Sequence, residues 1–500
     1  MKKIVKKLYI KIVSPVHIGC DEVYEPTSFV VDEKTMTLTA FDLFTLFERI
    51  TPNEQTDFSK ICLKGTIESI LEVYKFLQGR KIDGKQVDIC SGLLKHYRNT
   101  LSIPVNNRHQ IQNQLNRFSI GKTAFNTIDS RPYIPGSAIK GSLRTAYLNY
   151  LAALKKIPEQ KGRWAAAELE IKLLGGKFAT DPFRLVKVSD FMPAGNIKTK
   201  IIYAVNKKKR LSRFDARGPY QIFEVIQPGS IFTGEISIGR IPDNVSKEAK
   251  INNQISPEKL LGSLKQFYGK EKENEEAILK KIGVSFEYGF RKENSFPIRI
   301  GHHCGAESVT VEGHRSIKVM RGRGEPPAYK DHATTTWIAS DEQLSENIKN
   351  PAPFGWAELG DMTAEVKDNV SNLETARKKE EEIKKQKKKD IDKLRLQAEI
   401  EEKRIAAEKE QREIEEKRKR EKFEALPIEE QVIIELDDDL IEERRVFEIY
   451  NALDEYKEEY LINIAKGLKK FWVSKKKWKK KQCSRKQVIK VQKIKGILEE

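Results

Sequence analysis

The chain is poor in cysteine and shows no cysteine pattern. Its five cysteines, Cys20, Cys62, Cys90, Cys304 and Cys483, are odd in number, scattered, and form no CxxC pair. That argues against a disulfide framework or a zinc finger and fits a reducing cytoplasm. No run of ~18 apolar residues occurs, so no membrane-spanning helix is expected. The opening Met1-Lys2-Lys3-Ile4-Val5-Lys6-Lys7 lacks the apolar core of a secretory signal and reads as the start of a strand. Catalytic signatures are missing too: there is no GxSxG, no HExxH and no paired-carboxylate pattern. Negative charge is in deficit. Lys and Arg number 92 against 73 Asp and Glu, a formal net charge of +19. A surplus of that size calls for an anionic partner or a large solvated surface, with RNA, DNA and anionic membrane the usual candidates. The absences above argue against membrane and secretion.

Three compositional regions follow one another. Residues 1 to about 360 are mixed. Residues about 361–426 are almost purely charged, and neither Pro nor Gly occurs between Asp361 and Leu426. Residues about 427–500 are mixed again and strongly basic at the end.

In the first region, Leu8, Ile10, Ile12, Val16 and Ile18 give a period-two strand pattern over Val5–Ile18. Phe29–Val31 and Met36–Thr39 flank Asp32-Glu33-Lys34-Thr35 as a hairpin, and Asp42 opens an apolar helix. Helices are predicted over 65–78 and 88–98, from Ser137 past Tyr150, and over 246–268 and 271–283. Strands are predicted over 184–191, 199–205, 220–226, 230–238, 296–300, 333–339 and 354–359. This is an α+β pattern, with RRM-type, ferredoxin-like units as the leading architecture. The charged region, rich in Glu, Lys, Arg, Gln and Ala, reads as a solvated single helix used as a spacer rather than a coiled coil. The last region shows helix-bundle spacings, from Val446 and Ile449 to Leu468 and Trp472.

The most informative segment is Tyr133-Ile134-Pro135-Gly136-Ser137-Ala138-Ile139-Lys140-Gly141-Ser142-Leu143-Arg144. Pro135 and Gly136 break an extended stretch, and Ser137 is a good N-cap. The first turn would present unpaired N–H groups at a positive dipole end. Lys140 and Arg144 share a face, and Gly141 leaves room for a ribose or backbone. The combination suits a phosphate; an ordinary capped helix with two solvated cations accounts for it as well. It is not a Walker A loop.

Phe296–Gly305 runs an apolar strand into a loop that can approach a nucleic-acid backbone through Gly301 and Gly305, or is a plain structural turn. His302, His303 and Cys304 invite a metal reading, which their placement on opposite faces of an extended strand disfavours; His314 and His332 could join only through folding. Phe354 and Trp356 suit a core better than a stacking platform. Arg315, Lys318, Arg321 and Arg323, with Gly322 and Gly324, form a basic stretch that is either a solvated loop or an RNA contact. Trp472 and Trp478 interleave with lysines as in single-strand binders, or lie on a merely solubilising face. His17 is a conceivable general base, though a lone His there is more often structural.

Ser14-Pro15-Val16-His17-Ile18-Gly19, the Pro135–Arg144 segment and Arg299-Ile300-Gly301, in that order, resemble the RAMP superfamily of CRISPR-associated proteins over about residues 1–360. With Pro353-Phe354-Gly355-Trp356 they look most like the fifth subunit of the type III-A (Csm) effector complex. The resemblance implies an RRM-like RAMP core (1–360) with a helical insertion at about 42–100, followed here by the charged spacer (361–426) and a basic helical domain (427–500). It implies a non-catalytic, cytoplasmic subunit without cofactor or metal. Such a subunit holds crRNA near its 3′ end beside repeated backbone subunits and supports crRNA maturation and antiviral defence, with a host exoribonuclease as a further partner. The implied RNA contacts are Gly136, Ser137, Lys140, Gly141, Arg144, Arg299, Gly301 and Gly305. His303 stands where such loops commonly have Gly. The alternative is a metal-independent RAMP endoribonuclease that uses His17.

Overall fold

The computed structural model describes residues 3–160, 162–212, 216, 218–241, 250–290, 295–321, 324–343, 347–479 and 483–499; at 384, 388, 395 and 399 it describes the backbone alone. The chain forms two compact units, 1–381 and 382–500.

Among the described residues the first unit holds two large sheets and a small two-stranded one. One contains β1 (Lys3–Ile12), β2 (Val186–Val188), β3 (Ile231–Gly239), β4 (Ser295–Arg299) and β5 (Trp356–Asp361), in the spatial order β4-β5-β1-β3-β2. Its neighbouring strands are all antiparallel. Helix α1 (Gly136–Lys155) lies between β1 and β2 in the chain, and α2 (Pro257–Lys281) between β3 and β4. Strands β5, β1, β3 and β2, with α1 and α2 as crossovers, make the βαββαβ ferredoxin-like arrangement, and β4 adds an outer strand. Apolar spacing drives the packing: Ile139, Leu143, Ala146 and Tyr147 of α1 share one face at i, i+4, i+7 and i+8 and are buried with Leu8, Ile10 and Ile12 of β1. Helix α2 starts with Ser256 as N-cap and Pro257 in the first turn. It runs unbroken where two helices are expected, because no helix breaker stronger than Gly262 and Gly269 interrupts it; residues 246–249 of that expectation lie outside the described residues.

The second sheet is ordered Gly19–Val23, Ile120–Thr123, Gln221–Ile226, Thr199–Lys208, Lys85–Ile89, Thr37–Ala40, Phe29–Asp32. The far half of Thr199–Lys208 pairs instead with Thr335–Ser340. The expected hairpin forms, with Phe29 opposite Ala40 and Asp32 opposite Thr37, and Asp42 caps the next helix. Lys85–Ile89, expected partly as helix, is a strand, because both its edges find partners at Thr37–Ala40 and Lys200–Ile201.

Beneath the first sheet lies a buried polar knot. Arg299, Trp356 and Tyr288 all donate to the Glu275 carboxylate, at 2.6, 2.6 and 2.8 Å. Arg299 also donates to the Phe354 carbonyl at 3.0 Å and lies 4.9 Å from the Trp356 ring centroid. At 6% exposure it is a core residue, which corrects its assignment as an RNA contact. A guanidinium at the end of a strand looks like surface in the sequence; here the carboxylate of α2 draws it inward. Phe354 and Trp356 are core, as expected.

Helix α3 (Ala364–Glu424) begins in the first unit and ends in the second. Glu374 accepts from the Gly195 N–H at 2.7 Å and pairs with Arg131. Further along, Ile391, Leu394 and Ile405 are exposed, and pairs such as Arg404–Glu408 and Arg420–Glu424 sit at i,i+4 spacing. Among the described residues the second unit adds the α-helices Ile428–Asp437, Glu443–Asn451, Glu458–Ser474 and Arg485–Ile497, around a core that includes Val432, Val446, Leu468, Trp472 and Ile494. Trp472 is fully buried, so it is packing and not a stacking platform.

Glu275→Ala leaves a buried guanidinium and an indole N–H without their acceptor. We expect a loss of about 3–5 kcal/mol in urea unfolding, partly recovered by Glu275→Gln; a midpoint within error of the parent would contradict the buried-knot assignment.

Candidate nucleic-acid interface

Residues Ser14–Ile18, just beyond β1, act as a junction. The Pro15 carbonyl accepts from the Gly355 N–H at 2.9 Å, that of Val16 from Ile226 at 2.8 Å, that of His17 from His302 at 2.9 Å and that of Ile18 from Ala124 at 2.8 Å. Four distant segments therefore dock on five residues. The chain then passes from Ala124 to Tyr133, which bonds back to the Ala124 carbonyl, and on to Pro135 and α1. Ser142 of α1 donates to the Arg299 carbonyl at 2.6 Å, at the root of the glycine loop. The three motif segments thus meet at one place.

Gly301 is required there. Its φ is +87°, and a Cβ would stand 2.4 Å from the His17 carbonyl oxygen. His303 occupies the left-handed region (φ 64°) without being glycine. Its ring packs against Trp337 at 4.4 Å, Phe223 at 5.3 Å and Phe354 at 5.4 Å. Those contacts offset a conformational cost of about 1 kcal/mol. Gly301, His302 and Gly305 are exposed.

His17 itself is 3% exposed. Its ring stacks on Phe223 at 4.1 Å and meets His302 edge-on at 5.5 Å. Nδ1 lies 2.9 Å from the Glu224 carbonyl oxygen, to which it donates. Burial lowers its pKa to about 4, only partly opposed by that hydrogen bond, and burial does the same to His303. Its enclosure weighs for the structural reading of His17 over that of a general base. Among the described residues no cluster of three His, Cys, Asp or Glu could hold a metal ion.

Glu224, fully buried, is the residue that sequence reasoning missed. It accepts from Tyr24 Oη at 2.9 Å, Lys85 Nζ at 2.8 Å and more loosely the Thr123 N–H at 3.4 Å, and so ties three elements beneath His17. The signal was its parity: in Gln221–Ile226 it shares the face of the buried Ile222 and Ile226.

At the head of α1 the structure departs from the sequence expectation. Pro135, not Ser137, is the N-cap. The Gly136 N–H donates to Asp190 Oδ1 at 2.8 Å, so part of the dipole end is already engaged. Lys140 Nζ donates to the Val186 carbonyl at 2.8 Å. Arg144 pairs with Glu170 and with Asp181, the latter at 2.8 Å, and lies over Phe183. Both cations fasten α1 to its neighbours, because the segment after it brings carbonyls and carboxylates within their reach. What the first two turns of α1 expose is Ser137 and Gly141, one turn apart; around Gly141 nothing lies within 4 Å of where a Cβ would be. Arg315, expected on a basic loop, is largely buried against Glu271 at 2.8 Å. Lys318 lies on a small hairpin, Ile317–Val319 with Ala328–Lys330. Gly322 and Arg323 lie outside the described residues.

Cations at the glycine loop come instead from Lys207-Lys208-Lys209-Arg210. Asn206, just before them, is opposite Trp337, which packs on His303. Lys209 donates to Glu307 at 2.6 Å, two residues beyond Gly305. Arg210 is exposed. The assembled face therefore offers an exposed glycine loop, a small-residue helix stripe and flanking cations, a surface for close backbone approach with sequence-independent phosphate contacts.

The RAMP superfamily model matches residues 9–302. No curated protein matches the chain. Among solved structures, a chain from a cryo-EM structure of a Csm-crRNA-target RNA ternary complex of a type III-A CRISPR-Cas system is similar at TM-score 0.45 and 16% identity, over 71% of this chain and 100% of that one. The crystal structure of T. onnurineus Csm5 is similar at TM-score 0.41 and 16% identity, over 70% of this chain and 99% of that one.

Unfolded histidines bind protons from about pH 6.5 downward, whereas folded His17 and His303 do so only near 4. The unfolded state therefore holds more protons in that window, and stability falls as pH drops from 6.5 to 4. We expect the urea midpoint to fall over this range, and His17→Phe to make the fall shallower; an identical pH dependence in the variant would contradict the burial of a neutral His17.

Proposed function

The chain belongs to the RAMP superfamily, and from that premise we propose that it is a non-catalytic subunit holding CRISPR RNA in a type III-A effector complex. In this reading it is the fifth subunit of that complex. It docks beside a repeated backbone subunit near the crRNA 3′ end and supports crRNA maturation and antiviral defence, with a host exoribonuclease as a further partner. One observation carries the reading. The exposed Gly301, His302 and Gly305 of the loop and the exposed Ser137 and Gly141 of α1 lie on segments joined by the Ser142–Arg299 hydrogen bond, and Lys207–Arg210 adjoins the loop. A ribose-phosphate strand can lie against glycine where it could not against a larger side chain, and lysine and arginine attract it without reading sequence. The enclosure of His17 supports the absence of strand cleavage.

A ribonuclease reading keeps one foothold, since His302 is exposed at the same loop. Incubation of the pure protein with repeat RNA, with and without chelator, decides it. Defined products lost on His302→Ala would replace the proposal.

Gly141→Glu separates binding from folding. Space is available and Glu is the better helix former, so stability should hold or rise by roughly 0.5 kcal/mol. Affinity for single-stranded RNA should nonetheless fall about tenfold, since a carboxylate now faces the phosphates. Lys207→Ala with Arg210→Ala should lower the log–log salt slope by about 1.4, at ~0.7 per phosphate contact. Unchanged affinity and slope in both variants would refute this surface.

A further inference from the structure

The second unit lies beyond the residues the family model matches, and its charge is segregated along the chain. Residues 427–460 carry 3 Lys or Arg against 13 Asp or Glu, and residues 461–500 carry 14 against 2. Part of the basic half neutralises the acidic half: Lys470 pairs with Asp437 at 3.0 Å, Lys493 with Asp454 at 2.7 Å, and Lys477 with Glu443. Those pairs serve the fold. Other cations do not. Among the described residues, Lys475, Lys476, Lys479, Arg485 and Lys486 are exposed and have no carboxylate within 4 Å. They are gathered in space as well as in sequence. The first three lie at the end of Glu458–Ser474 and in the turn that follows, the last two open Arg485–Ile497, and Gln487 Nε2 reaches the Lys477 carbonyl at 3.5 Å to join the turn to that helix. Like charges so placed repel, and folding gains nothing from them.

Trp478 lies in the same turn. Its ring is partly exposed and flanked by Lys469 and Lys495, whose Nζ atoms are 5.7 and 5.9 Å from its centroid. An aromatic face accepts an unpaired base while the exposed Lys475, Lys476 and Lys479 of the same turn take the adjoining phosphates. A duplex keeps its base faces stacked, and an acidic protein has no use for the ring. We propose that this face of the second unit is a separate binding site for single-stranded nucleic acid, independent of the surface on the first unit and indifferent to sequence.

The test uses the full chain and a fluorescent 20-nucleotide oligouridylate. Lys475→Ala, Lys476→Ala, Lys479→Ala and Lys486→Ala combined should lower the log–log salt slope by about 2.8 if all four contact phosphate. Arginine at the same four positions should keep binding within about threefold. Trp478→Leu should weaken binding about tenfold and leave the slope unchanged. Because the two sites are independent, the titration is read as two binding events: the tail variants should weaken one and Gly141→Glu the other, so that failure of either surface is read separately. Binding within twofold of the parent with an unchanged slope in the lysine-to-alanine protein would overturn the proposal. So would parent-like affinity in Trp478→Leu, or competition by a duplex or by polyglutamate as effective as that by the single strand. Should the alanine protein lose its helical circular dichroism, the arginine and Trp478→Leu proteins carry the same decision.

Discussion

Five residues after the first strand set the position of everything that matters on the first unit. The carbonyls of Pro15, Val16, His17 and Ile18 each hold an amide from a different part of the chain. A carbonyl that far inside cannot be left unpaired without a cost of about 1–3 kcal/mol, so the four docked segments are held in fixed register. Gly301 follows from this constraint: only a residue without a Cβ can lie on the His17 carbonyl at the distance observed. The glycine loop, the head of α1 and the Glu224 junction inherit their positions from that backbone. A neutral histidine belongs to the same logic, because a charged imidazole would be buried against Phe223, and burial outweighs the pull of the Glu224 carboxylate, which Lys85 already engages.

The motif's charged residues then take on a different meaning. Lys140, Arg144 and Arg299 are the motif's basic residues, yet each is engaged within the protein. They fix the helix and the loop, and the residues without side-chain bulk do the presenting. Recognition built in this way would depend on shape and on the cations of Lys207–Arg210, and would not read sequence.

Much of the fold was legible in the sequence. Period-two apolar runs located β1 and β3, the Asp32–Thr35 turn located the hairpin, and Pro135–Gly136 located the start of α1. Sheet membership was harder. Asp88 and Ile89, read as the start of a helix, close the strand Lys85–Ile89 instead, because two distant partners claim its edges. The site was legible as segments and not as atoms. Spacing showed that Lys140 and Arg144 share a face but not that Val186, Glu170 and Asp181 wait beside it. Glu224 and Glu275 were passed over, since a carboxylate gains its donors only after the chain has folded; their apolar parity was the one local hint. The pure charge of α3 and the charge asymmetry of the tail, by contrast, are properties of composition and were plain from the start.

The central claim is that the junction around His17 places one glycine-lined surface against a ribose-phosphate strand. The most direct measurement is ultraviolet cross-linking of the intact protein to 4-thiouridine-substituted single-stranded RNA, with the attached peptides identified by mass spectrometry. The account predicts adducts within 134–145, 206–212 and 299–307 together. Adducts confined to the second unit, or spread over the first unit without enrichment in those segments, would contradict it.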